Sequence, residues 1–165
     1  MVRNEHQRRL AASPEAVGAL VDSLASPDDR LWPAERWPAM RLDGPLAVGA
    51  RGGHGPVRYR VAEYRPGRSV RFRFEAPAGF HGHHEYAVIP LGEEEALLRH
   101  SLVMRTTGWA RLSWPLFYRP LHDALIEDSL DRACRSLGLA VARPHRWSPL
   151  VRLLRTVAVR AAVRR

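Results

Sequence analysis

Lysine is absent from the 165 residues, cysteine occurs once, and no acidic residue follows Asp131. Each scarcity excludes something. The lone Cys134 allows no internal disulfide, which fits a reducing compartment. No apolar run approaches the roughly 18 residues of a membrane-spanning helix. The opening MVRNEHQRRL lacks the apolar segment of about 7–15 residues that a secretory signal carries, so the chain is expected to be cytoplasmic. Neither CxxC nor HExxH occurs, and the glycines around His54 precede no Lys-Ser or Lys-Thr. No metal and no cofactor are expected. The formal charge of +9 is concentrated at one end: residues 1–131 hold 17 arginines against 17 acids, and residues 132–165 hold 9 arginines and no acid. A neutral body gives no reason to expect a nucleic-acid partner, and the exclusive use of arginine reads as coding bias.

What is present follows two periods. Val2–Leu10 is polar and strand-like, and Ser13-Pro14-Glu15 opens a helix with a cap, a proline at the first position and an acid in the first turn. Val17, Leu20, Val21 and Leu24 form its apolar face, and Ser26-Pro27-Asp28-Asp29 starts a further short helix or turn. From Pro56 to Thr107 the period is two, and arginine marks the outward face. Tyr59, Phe72, Phe74, His84, Tyr86, His100, Leu102 and Met104 are thereby assigned to the inner face of an antiparallel meander. After Gly108 a helical stripe runs through Phe117, Leu121, Leu125, Ile126, Leu130, Ala133 and Leu137, with Gly138 as its cap. Residues 1–140 are expected to form one domain and 141–165 a tail.

The order of strand, early helices, antiparallel strands and long terminal helix resembles the START-like (SRPBCC) helix-grip superfamily. The similarity lies in Ser13 to Val17, Pro45 to Gly49, the hairpin Val61 to Arg68 and the helix Leu121 to Leu137. The bacterial polyketide cyclase/dehydrase-like branch is the one most resembled. The resemblance implies an α+β fold in which a curved antiparallel sheet wraps a long C-terminal helix, with two short helices near the N-terminus. It further implies a cavity beneath that helix for a small hydrophobic ligand, and it carries no universal catalytic motif. Rieske cysteine and histidine pairs are missing, so an intact ring-hydroxylating oxygenase subunit is not expected.

The expected ligand-binding set is Tyr59, Phe72, Phe74, His84, Tyr86, His100, Leu102 and Met104 from the sheet with Ile126, Ser129 and Ala133 from the helix; the alternative is that they fill a core. If the chain is an enzyme, His84, His100 and His122 are the candidate bases, with Tyr59 and Tyr86 as donors to a developing oxyanion. His81 and His83 share a face but lack a third ligand. Trp32-Pro33 and Trp37-Pro38 fit either a cover over a cavity mouth or rigid packing, and Gly49–Gly55 reads as a mobile loop or bulge at its rim. In the tail, Leu150, Leu153, Leu154, Val157 and Ala161 form a stripe opposite Arg152 and Arg155, suited to an anionic membrane, its own domain or a second subunit. Three functions remain open: a carrier of a hydrophobic molecule, an aromatase/cyclase- or dehydratase-type enzyme, and a membrane-associated or interaction module.

Overall fold

The computed structural model describes residues 1–163, with side chains as far as Ala158. Strands β1 (Val2–Leu10), β2 (Arg41–Leu42), β3 (Arg51–His54), β4 (Val57–Arg65), β5 (Ser69–Ala76), β6 (Phe80–Gly92) and β7 (Glu95–Thr106) form one antiparallel sheet in the order β1-β7-β6-β5-β4-β3-β2. Helix α1 (Pro14–Asp22) follows β1. Beyond β7, α2 (Ala110–Ser113), a π-helical turn (Trp114–Tyr118) and α3 (Arg119–Ser136) run on from one another, and α4 (Pro149–Val163) ends the described chain.

Helix α1 starts as its cap dictates, with Ser13 Oγ accepting from Ala16 N at 3.3 Å. One N-terminal helix forms where two were expected. The Asp29 carboxylate accepts from the backbone N–H groups of Ala25, Leu31 and Trp32, which folds residues 23–32 into turns. Gly18 permits the docking of α1, because a Cβ there would lie 2.3 Å from Gly67 O. Asp22 completes the contact by accepting from Gly67 N and Tyr64 Oη at 2.9 Å.

The arginine marking assigns the sheet faces correctly: Tyr59, Phe72, Tyr86, His100, Leu102 and Met104 are buried, while Arg58, Arg60, Arg73 and Arg105 are exposed. Burying each large apolar side chain contributes about 1.5–3 kcal/mol. Within the glycine-rich segment Arg51–His54 form strand β3 where a loop or bulge was expected, and Gly49 and Gly55, both with positive φ, lie in the turns on either side. A Cβ on Gly52 would fall 1.9 Å from Arg41 O and one on Gly53 2.0 Å from Val57 O, so glycine is what admits the neighbouring backbones.

The helical stripe needs one correction. Phe117 faces solvent at 46% exposure, while Trp114 is buried. Pro115 and Pro120 each lack the N–H that a regular helix would use, and the intervening π turn shifts the phase of residues before Arg119 relative to α3. Downstream of it Leu125, Ile126, Leu130 and Ala133 are buried as expected, and Gly138 ends the helix at φ +71°.

A polar ladder fixes α3 along β1. Asn4, His6 and Arg8, at every second strand position, meet Asp123, Glu127 and Asp131, at every fourth helix position. Asn4 Nδ2 donates to Asp123 Oδ1 at 2.9 Å, His6 Nδ1 lies 2.7 Å from Glu127 Oε1, and Arg8 reaches Glu127 at 3.0 Å and Asp131 at 2.8 Å. The segment expected as a tail returns to this helix. Buried Asp128 accepts from Arg36 Nη1 (2.7 Å), Trp37 Nε1 (2.7 Å) and Trp147 Nε1 (2.8 Å), and the Arg155 guanidinium lies 4.3 Å from the Trp147 ring centre. Val151 is buried against the core, whereas Leu150, Leu153 and Val157 are exposed; the Ala161 side chain lies outside the described residues. No helix among the described residues is long and apolar enough to cross a membrane.

Asp128→Ala removes the acceptor of one guanidinium and two indole N–H groups. Unfolding free energy in urea is expected to fall by about 3 kcal/mol, and Asp128→Asn, which keeps one oxygen acceptor, to lose less. Equal stability of all three proteins would show that the junction holds nothing.

Candidate functional site

The inward residues converge in a row of rings that crosses the sheet. His6 on β1 is paired in register with His100 on β7. The ring centre of His122, from α3, lies 6.1 Å from that of His6 and 5.1 Å from that of His100. His100 Nε2 meets His84 Nδ1, on β6, at 3.3 Å. His84 packs against Tyr59 and Phe72 at 5.0 Å and Phe74 at 5.2 Å. Tyr59 Oη in turn lies 3.1 Å from His54 Nδ1 on β3, and Trp32 covers that imidazole at 4.6 Å. The row ends beside a cleft at each side. His54 lines one of about 540 Å³ with Pro38, Arg41, Arg51 and Arg58, while Asn4, Trp114 and Arg119 line one of about 280 Å³ at the β1 end.

Between sheet and α3 the expected ligand-binding residues are packed against one another. Tyr86 Oη and Ser129 Oγ lie 2.9 Å apart, and Ser129 donates to Leu31 O at 3.0 Å. The small Ser129 therefore makes room for a tyrosine. Ile126 and Ala133 are buried in the same cluster. Leu102 and Met104 belong to a second apolar cluster with Phe80, Ala110 and Trp114, flanked by Val2, Phe74 and Tyr118. His81 and His83 stay off this face: His81 is exposed with Nε2 3.0 Å from Thr107 Oγ1, and His83 is half-buried.

Burial sets the protonation of the row. It lowers the pKa values of His84, His100 and His122, and neighbouring imidazoles add to the effect; His54 is brought down to about 3. Burial raises the phenol pKa values of Tyr59 and Tyr86, which stay protonated donors. His6 is the exception: burial pulls it down, but hydrogen bonds and charge from Asp123 and Glu127 win and raise it to about 9. Asp123 is held below the usual carboxylate range because His122, His6 and Asn4 outweigh its burial.

Among the described residues, His84 Nε2, His100 Nδ1 and both ring nitrogens of His122 are buried without hydrogen-bond partners. The neutral His84–His100 pair has a fixed consequence. Whichever ring donates in the shared bond, its two free nitrogens comprise one N–H and one lone pair. Such a pair offers a donor and an acceptor together, and exchange of tautomers carries a proton from one end to the other.

The sequence singles out His84, His100 and His122 in this row, while His6, Asn4, Asp123, Glu127 and His54 join it only in the structure. The 4-residue repeat of acids on the helix and the Asn4-His6-Arg8 alternation were visible. Val2–Leu10 reads only as a polar strand because polar residues occupy both of its faces, and the helix acids gain meaning only once that strand is known to lie beside them.

A sheet packed on one long helix in this order defines the helix-grip fold, and solved structures share it. A protein from Thermobifida fusca aligns over 88% of this chain and 100% of its own at 17% identity and TM-score 0.64. Norcoclaurine synthase from Thalictrum flavum, in complex with dopamine and hydroxybenzaldehyde, aligns over 85% of this chain and 88% of its own at 14% identity and TM-score 0.61. The di-domain aromatase/cyclase BexL aligns over 87% of this chain and 48% of its own at 18% identity and TM-score 0.61. No family model matches the chain, and no curated protein matches it.

The buried imidazoles predict acid lability. Their folded pKa values lie below the unfolded value of about 6.5, so below that pH the unfolded chain binds more protons and stability falls as pH falls. The slope is about 1.4 kcal/mol per pH unit for each imidazole that stays neutral. Urea unfolding between about pH 6.5 and 5 should show this loss for the native chain and a slope smaller by one proton in His84→Phe. An unchanged slope in that variant would refute the neutral assignment.

Proposed function

We propose that the chain binds a small hydrophobic or amphiphilic molecule between the sheet and α3. The single observation that carries the reading is the set of unpartnered imidazole nitrogens inside an aromatic interior, since buried polar atoms are otherwise almost always satisfied. Tyr59, Phe72 and Phe74 supply ring faces for the apolar body, Leu102, Met104, Ile126 and Ala133 supply aliphatic walls, and His84 with His100 meets the polar groups. Tyr86 and Ser129 become available when their mutual bond opens. Because the interior is filled by its own rings, entry requires the helix and sheet to part. The π turn is suited to this, as it lies beside the cleft at the β1 end and carries the exposed Leu116 and Phe117. The aromatic ligands named for norcoclaurine synthase support a ligand of similar size.

A second reading, an aromatase/cyclase- or dehydratase-type enzyme, is favoured by the His84–His100 pair. One free nitrogen accepts a substrate proton while the other returns one, and Tyr59 or Tyr86 donates to the developing oxyanion. The aromatase/cyclase fold neighbour agrees with it.

Gently purified protein analysed by native mass spectrometry should carry a small organic molecule or take up an anilinonaphthalene sulfonate probe. His84→Phe/His100→Phe is expected to weaken probe binding about tenfold, the loss of roughly 1.4 kcal/mol of polar contact. Absence of both adduct and probe uptake in the native protein would overturn the binding reading. Turnover of a poly-ketone by the native chain, lost in His100→Phe with probe binding retained, would establish the enzyme instead.

A further inference from the structure

At the β1 end of the ring row, two imidazoles and a carboxylate from two different elements come together. Asp123 Oδ1 lies 3.2 Å from His6 Nε2 and 3.5 Å from His122 Nδ1, and the three donor atoms are within 4.8 Å of one another. We propose that His6, His122 and Asp123 bind a divalent transition-metal cation of the zinc class, a site that goes beyond the organic-ligand reading, shares only His122 with the nitrogens behind it and adds His6 and Asp123.

Two of the three donor separations are close to those of a tetrahedral ion. Bonds of about 2.0–2.1 Å place neighbouring donors roughly 3.3–3.4 Å apart, and Asp123 Oδ1 lies 3.2 Å from one imidazole and 3.5 Å from the other, a tenth of an ångström to either side. The surroundings are those of a ligand set as well. His6 turns its other nitrogen, Nδ1, to Glu127 Oε1 at 2.7 Å, which fixes the ring, and its Nε2, hydrogen-bonded to Asp123 Oδ1 at 3.2 Å, would give up that proton to take an ion. Glu127 is held by Arg8 Nη2 at 3.0 Å, and Asp123 Oδ1 is oriented by Asn4 Nδ2 at 2.9 Å. Both nitrogens of His122 are buried and lack hydrogen-bond partners among the described residues, and coordination through Nδ1 resolves one of them. The 3.5 Å approach of His122 to Asp123 has an ion-pair distance but no hydrogen bond between them.

Two imidazole nitrogens, with His6 releasing its extra proton to solvent as the ion binds, and one carboxylate oxygen favour zinc, cobalt or nickel over magnesium or calcium, which prefer all-oxygen sites. Three protein donors leave a coordination position open for water or a ligand atom. The cleft of about 280 Å³ lies next to the site: it is lined by Asn4 and Arg119, and both contact Asp123, at 2.9 Å and 3.7 Å. The His81 and His83 pair singled out by sequence lies on the other face of the sheet and contributes nothing to this site.

The experiment uses full-length protein without a polyhistidine tag, stripped with chelator and titrated with cobalt(II) and zinc(II). One equivalent per chain is expected, with the visible absorption of a low-coordinate cobalt site that zinc then displaces. His122→Ala and Asp123→Asn should each weaken affinity at least about tenfold, Glu127→Gln by about tenfold, and His81→Ala/His83→Ala not at all. His122 lies outside the β1–α3 ladder, so its variant tests the site even if changes at His6 unfold the chain; circular dichroism checks each protein. No stoichiometric binding, or binding that survives His122→Ala and Asp123→Asn but disappears in His81→Ala/His83→Ala, overturns the proposal.

Discussion

The ladder between β1 and α3 is the constraint on which the interior depends. Two residues of strand advance about 6.6–6.8 Å and four residues of helix about 6.0 Å, so three successive rungs stay within reach before the periods drift apart. Asn4, His6 and Arg8 against Asp123, Glu127 and Asp131 use that near-match. Sliding α3 by one turn would leave one rung without its acid, because Arg119 and Arg135 flank the three acids at the same spacing. With the helix held lengthwise, His122 comes over His100 and Ser129 comes under Tyr86. The end of the ladder is then tied from outside, since Asp131 also accepts from His145 N at 2.7 Å.

Within that frame the interior is unusual for its nitrogen content. An apolar core of equal volume would be more stable, because each buried imidazole nitrogen without a partner forfeits solvation of about 1–3 kcal/mol. The apolar clusters around it offset this loss: one is built on α1, the sheet and α3, and the other on Phe80, Leu102, Met104 and Trp114. Binding of either an organic molecule or an ion would restore partners to those nitrogens.

The sheet was largely legible in the sequence because arginine, a residue rarely buried unpaired, alternates with aromatics from Val57 to Arg105. The end of the long helix was legible at Gly138 for the same local reason that glycine accepts positive φ. Where both faces are polar the method fails. β1 offered no apolar residue between Val2 and Leu10 to choose an inner side, so His6 was overlooked. His54 was hidden among glycines whose role is backbone contact with β2 and β4, and Phe117 was misplaced because periodicity assumes a regular helix through the π turn. The inner-face histidines His84 and His100 were found by parity, but the bond between them depends on the twist and registry of three dimensions.

The order of the sheet leaves two free borders, and each is poorly suited to recruiting another chain. On β1 the outward side chains Arg3, Glu5, Gln7 and Arg9 alternate charge and polarity along the whole strand, while β2 at the far border is only two residues long. A strand added to β1 would bring its side chains beside that polar row, and one added to β2 would find too few backbone groups to hold it. Charge along one border and brevity at the other both disfavour edge-to-edge fibrillar aggregation.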